Sequence, residues 1–68
     1  MRVRVDQRAD AVYLNLTDRP LKDSEEVADG IMIDYELRRI VGIEILDVSK
    51  RTDDPAVLKQ FSFELLMV

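Results

Sequence analysis

Residues 31–45 read IMIDYELRRIVGIEI, and the way the two halves of this stretch pair decides the fold. Each half carries isoleucines two residues apart: Ile31 and Ile33, then Ile43 and Ile45. In a strand, alternate side chains share a face. A four-residue loop at 36–39 would set Ile33 opposite Gly42 and send the two isoleucine pairs to opposite faces. An odd-length loop sets Ile33 opposite Ile43, Ile31 opposite Ile45 and Tyr35 opposite Val41. A slip of one residue flips every side chain, so the apolar match selects the odd loop, three residues at 37–39 or five at 36–40. Asp34, Gly42 and Glu44 then share the other face, with Glu44 beside Met32. The second strand reads on as VGIEILDVSK, 41–50, with Glu44 in its middle and Asp47 at its end.

Working outward, RVRV (2–5) alternates charge and valine, and AVYLNL (11–16) puts Val12, Leu14 and Leu16 on one face with Tyr13 and Asn15 on the other. DQRAD between them is rich in turn formers, which predicts a hairpin with a loop of four to five residues. Asp6 and Asp10 are placed to accept from backbone amides of that turn. TDRPLKD (17–23) is a polar connector, and Pro20 argues against a central strand there. In SEEVADGIMIDY (24–35), Asp29-Gly30 predicts a hairpin with a two-residue type I′ turn. That turn sets Ala28 opposite Ile31, Val27 opposite Met32 and Glu26 opposite Ile33. The acidic segment 24–28 predicts an edge strand, where charge discourages unwanted pairing. Gly42 in mid-strand predicts a bulge or the close approach of another side chain, such as that of Tyr13 or Tyr35.

At the C-terminal end, Asp53 or Asp54 can cap a helix that starts at Pro55 and runs through AVLKQ. FSFELLMV (61–68) fits a helix through Leu58, Phe61, Leu65 and Val68, and a strand through Phe61, Phe63, Leu65 and Met67. Phe63 favours the strand. The fold class is therefore α+β, mostly β: an antiparallel meander of four to five strands, then a short C-terminal helix and a possible final strand.

Sixty-eight residues make one domain, 1–68, with a marginal core. The chain has no cysteine and no histidine, so neither a disulfide nor a thiolate or imidazole metal site can staple it. Association with copies of itself is the staple left, which predicts a homo-oligomer. The tail residues Phe61, Phe63, Leu65 and Met67 are the expected oligomer interface, being too apolar for a free terminus. A small protein partner is a further expectation. The net charge of −4 argues against nucleic acid, although Arg2 and Arg4 share a strand face. No apolar run is long enough to span a membrane, and MRVRVD lacks the apolar core of a signal peptide; the location expected is cytoplasmic.

The residues that bear on chemistry are few. Asp34, Glu44 and Asp47 lie on adjacent predicted strands and could offer oxygens to a hard divalent cation. No ligand-spacing motif accompanies them, and alternating acids are also what a half-exposed strand carries. Ser24 and Ser49 have no histidine to activate them, and two glycines cannot build a phosphate loop. Arg2 and Arg4 are expected to pair with acids, such as those of the SEEV edge. No catalytic residue and no cofactor are predicted. The reading is a non-enzymatic homo-oligomeric module that binds protein, with a divalent-metal or small-ligand site as the alternative.

The blocks DQRADAVYLNL, SEEVADGIMIDY and IVGIEILDVSKR together resemble a small prokaryotic family known as a domain of unknown function, over residues 5–51. Its members resemble YD…ADALYI…L, an acidic EEV…G, ILDYD…G and then VGIEILDAS. Two departures matter. This chain has ELRR where the family carries a turn glycine, and Val5 where it often has tyrosine. The resemblance implies a small single-domain cytoplasmic protein without an assigned activity, and an antitoxin-like or accessory role beside a toxin-like partner. Its motif positions here are Asp6, Ala9, Asp10, Tyr13, Gly30, Asp34, Gly42, Glu44 and Asp47.

Overall fold

The isoleucine match holds: Ile31 pairs with Ile45 and Ile33 with Ile43 across two antiparallel strands, β4 (Ile31–Glu36) and β5 (Arg39–Ile45). The odd residue lies elsewhere than predicted. The turn is only two residues, 37–38, and the register shifts between Asp34 and Tyr35 so that Tyr35 faces Ile40 and Val41 is the extra residue. A two-residue turn plus a one-residue bulge has the parity of the three-residue loop, so the faces come out the same. Leu37 takes the left-handed conformation (φ 57°) at this turn.

The computed structural model describes residues 1–67. Its five strands form a single antiparallel sheet in the order β1-β2-β5-β4-β3, with β1 at Arg2–Asp6, β2 at Ala11–Asn15 and β3 at Asp23–Ala28. The β1–β2 hairpin has the predicted four-residue loop, 7–10. Connector 16–22 carries the chain from β2 to the far edge, and β5 returns to lie between β2 and β4. The β3–β4 hairpin departs from its expected register after Ala28–Ile31. Glu26 faces Met32 and Glu25 faces Ile33, so Val27 bulges from the edge. Only Gly30 has positive φ there (73°), so the turn is not type I′.

The register sorts the two faces of the sheet. One carries the rows Val3–Leu14–Ile43–Ile33 and Val5–Val12–Ile45–Ile31, and is aliphatic. The other carries Arg4–Tyr13–Glu44–Met32–Glu26 and Arg2–Asn15–Gly42–Asp34–Ser24, and is polar. None of the eight aliphatic residues is buried; all are half-buried. The buried apolar residues are Ala11 and Val41, and among the described residues no large side chain is fully buried.

The strand expected to end at Asp47 stops at Ile45, because Asp47 turns left-handed (φ 55°) and opens a short helix, α1 (Val48–Thr52). The expected helix at 55–60 shrinks to a single 3₁₀ turn, η1 (Val57–Lys59), with Asp54 accepting from the Ala56 amide (2.9 Å). Residues 61–67 form neither helix nor strand and are exposed, so the predicted final element is absent over them; Val68 lies outside the described residues.

Asp47 provides no side-chain cap to α1. Asp10 does so from 39 residues away, accepting from the Ser49 amide (3.0 Å) and the Ser49 hydroxyl (2.7 Å). The first-turn amide of Ala9 is met by Asp6 alone (2.9 Å), so Asp10 serves the helix rather than its own turn. Arg51 closes the same end of the sheet by donating to the carbonyls of Leu46 (2.6 Å) and Asp29. Its guanidinium lies where a Cβ on Gly30 would stand.

The chain is flat, 36 × 34 × 20 Å, with a radius of gyration of 13.1 Å. A compact domain of this length has about 11 Å. A folded monomer of 7.9 kDa exposes about 4,400 Å², whereas this chain exposes 5672 Å².

Asp10→Ala is expected to lower the stability by about 1–2 kcal/mol in urea unfolding, the worth of an N-terminal cap. Ser49→Ala should cost less, and the double variant little more than Asp10→Ala, because the two changes remove one interaction. Leu37→Gly should raise the urea midpoint by the equivalent of about 0.5–1 kcal/mol, since only an L side chain is strained at positive φ.

Candidate functional site

On the polar face the pleat brings Asp34 diagonally toward Glu44. Asp34 is opposite Gly42, and Glu44 is opposite both Tyr13 and Met32. The Asp34 carboxyl is buried and accepts from the Ser24 hydroxyl (2.7 Å). Gly42 makes room for it. A Cβ at that position would stand 3.1 Å from Asp34 Oδ2 and 2.9 Å from the Leu14 carbonyl oxygen. Both expected reasons for the glycine are present, a bulge at its neighbour Val41 and a close approach, but the approaching group is an aspartate rather than a tyrosine.

Glu44 is held at a pKa of about 7, against an ordinary 4.5. Its hydrogen bond with Asp34 contributes most, then burial, then the negative charge of Asp34; Arg4 opposes these. A carboxyl held beside a second carboxyl is raised in this way, because like charges at contact cannot both ionise at low cost. Arg4 itself donates to Asn15 Oδ1 (3.2 Å) and lies over the Tyr13 ring, 4.9 Å from its centroid.

Of the three predicted carboxylates, the structure brings two together. Asp47 stands apart at the start of α1, with Lys50 3.9 Å away. Among the described residues no group of three or more acids could hold a metal ion. Arg2 and Arg4 occupy β1, and the SEEV acids occupy β3 at the opposite edge, so the expected pairing between them does not form. Among the described residues a second ion pair, Arg19–Glu36 (3.1 Å), ties the connector to the end of β4. Phe61, Phe63, Leu65 and Met67 stay together in one exposed segment, 58–85% accessible.

Sequence reasoning missed the Asp10–Ser49 pair and the role of Arg51. Asp10 and Ser49 both lie within the quoted blocks, but nothing local in either block links one to the other.

A family model described as a protein of unknown function (DUF2283) matches residues 2–49. The chain belongs to the DUF2283 family. No curated protein and no solved structure matches it. The DUF2283 span takes in the whole sheet, the Asp34–Glu44 pair and both partners of the Asp10–Ser49 cap. It ends before η1 and the apolar tail, so the DUF2283 unit is the sheet with its capped end.

A carboxyl whose folded pKa is raised binds its proton more tightly in the folded chain than in the unfolded one. Stability from Glu44 is therefore full below about pH 4.5 and is lost as pH rises to about 7. Glu44→Gln keeps the hydrogen bond to Asp34 without the second charge. Its melting temperature should exceed that of the wild type at pH 8 by roughly 5 °C, the effect of about 1 kcal/mol in so small a domain. The difference should vanish or reverse at pH 4.5.

Proposed function

We propose that this DUF2283 chain is a non-enzymatic, homo-oligomeric module that binds a small protein partner in the cytoplasm. The observation that carries this reading is exposed apolar surface. The chain shows roughly 1,200 Å² more surface than a compact monomer of its mass, and no large described side chain is fully buried. Such a chain gains stability from a partner that binds the folded form. The polar face brings only two of the three expected carboxylates together, Asp34 and Glu44, with Asp47 apart at the start of α1. This disfavours the divalent-cation reading.

The tail is the docking segment. Phe61, Phe63, Leu65 and Met67 lie beyond the DUF2283 span in a segment with no regular structure of its own. An extended apolar segment that orders on contact suits a heterologous partner. A small basic protein encoded beside this chain is the occupant that suits its charge of −4, which fits an antitoxin-like or accessory role.

Light scattering is expected to give an integral multiple of the 7.9 kDa chain mass at micromolar concentration. The product of the adjacent gene should co-purify with the wild type. It should be lost when Phe61, Phe63, Leu65 and Met67 are all replaced by serine. A monomer at every concentration sinks the oligomeric part, and undiminished co-purification by the serine variant sinks the tail assignment.

A further inference from the structure

From the register of the sheet we infer that its aliphatic face is the self-association surface, and that a second copy of the chain packs on it sheet against sheet. The inference deepens the oligomeric reading and rests on it. Leu14, Ile43 and Ile33 form the central row of that face, on the three inner strands β2, β5 and β4. Among the described residues neither α1 nor η1 makes an extended contact with any strand. Leu58 and Phe61, where the tail begins, lie beside Arg4 and Tyr13 of the polar face.

The area fits. Five strands about 4.8 Å apart and about five residues long at ~3.4 Å each give a flat footprint of roughly 400 Å². Corrugation by side chains raises the accessible area to roughly 600 Å² per copy, or about 1,200 Å² in the pair, where stable interfaces begin. That is about half of the surface this chain exposes beyond a compact monomer. A second copy also matches in chemistry. An aliphatic sheet face is complementary to itself, two such faces interdigitate about 10 Å apart, and a twofold pair closes. The polar face, with its Asp34–Glu44 pair, stays outside.

The chain has no cysteine, so single cysteines report proximity without background. Leu14→Cys, Ile33→Cys and Ile43→Cys are made one at a time in the full chain, with Met32→Cys on the polar face as control. At least one aliphatic-face variant is expected to form a disulfide-linked pair under mild oxidation, with Met32→Cys staying unlinked. The full chain with the four tail serines should keep the mass of a pair. Cross-linking by Met32→Cys alone, or dissociation of the tail-serine variant to single chains, overturns the face assignment while leaving the oligomeric reading intact. A wild type that is monomeric at every concentration overturns both.

Discussion

The pairing of Ile31 with Ile45 and of Ile33 with Ile43 fixes the positions of the remaining side chains in the sheet. With that register, one face gathers the valines, Leu14 and the isoleucines. Gly42 falls opposite Asp34, and Glu44 falls on the diagonal. Shifted by one residue, the isoleucines of β5 would lie on the polar face, and Asp34 would lose the gap above Gly42 that lets its carboxyl lie down. The bulge at Val41 is what reconciles this register with a two-residue turn. It also leaves Val41 buried, at 3% accessible.

How much of this could be read from residues depends on the range of the interaction. Parity between β4 and β5 was legible, because alternation sums over a whole strand and tolerates local irregularity. The place where the extra residue sits was not legible, since a bulge and a longer loop have the same parity. The end of β5 was missed for a related reason. VGIEILDVSK alternates well enough to read as one strand, and only the left-handed backbone of Asp47 breaks it. Asp10 and Ser49 each have an ordinary local reading, so their bond across 39 residues emerges only once β2 and β5 are neighbours. For the site, the meeting of Asp34 and Glu44 followed directly from the register, while the separation of Asp47 depended on the helix.

The two faces of the sheet solve different problems. On the polar face, each buried polar group among the described residues has a partner: the Ser24 hydroxyl donates to Asp34, and Asp34 lies beside Glu44, whose pKa it raises. On the aliphatic face the half-buried side chains have no second layer. Covering that face adds apolar burial at roughly 25 cal/mol per Å² without desolvating any paired carboxyl. A partner on the polar face would instead have to disturb a hydrogen-bonded acid pair.

The edges explain why association through a face would stop at a pair. A sheet with open edges can grow by adding strands, and sequences oppose this with bulges and with charges that point toward the apolar side. β3 has both. Val27 bulges from the ladder, and Glu25 ends the row Val3–Leu14–Ile43–Ile33, so a strand added beyond β3 would enclose the Glu25 carboxylate within the apolar layer. At the other edge, β1 presents Arg2 and Arg4 on the polar side, with Arg4 engaged by Tyr13 and Asn15 rather than by an acid. Edge growth would leave the aliphatic face as bare as before, however many strands were added. Closure of two faces removes the exposed surface in one step, and the charges that guard β3 then lie at the rim, where water can reach them.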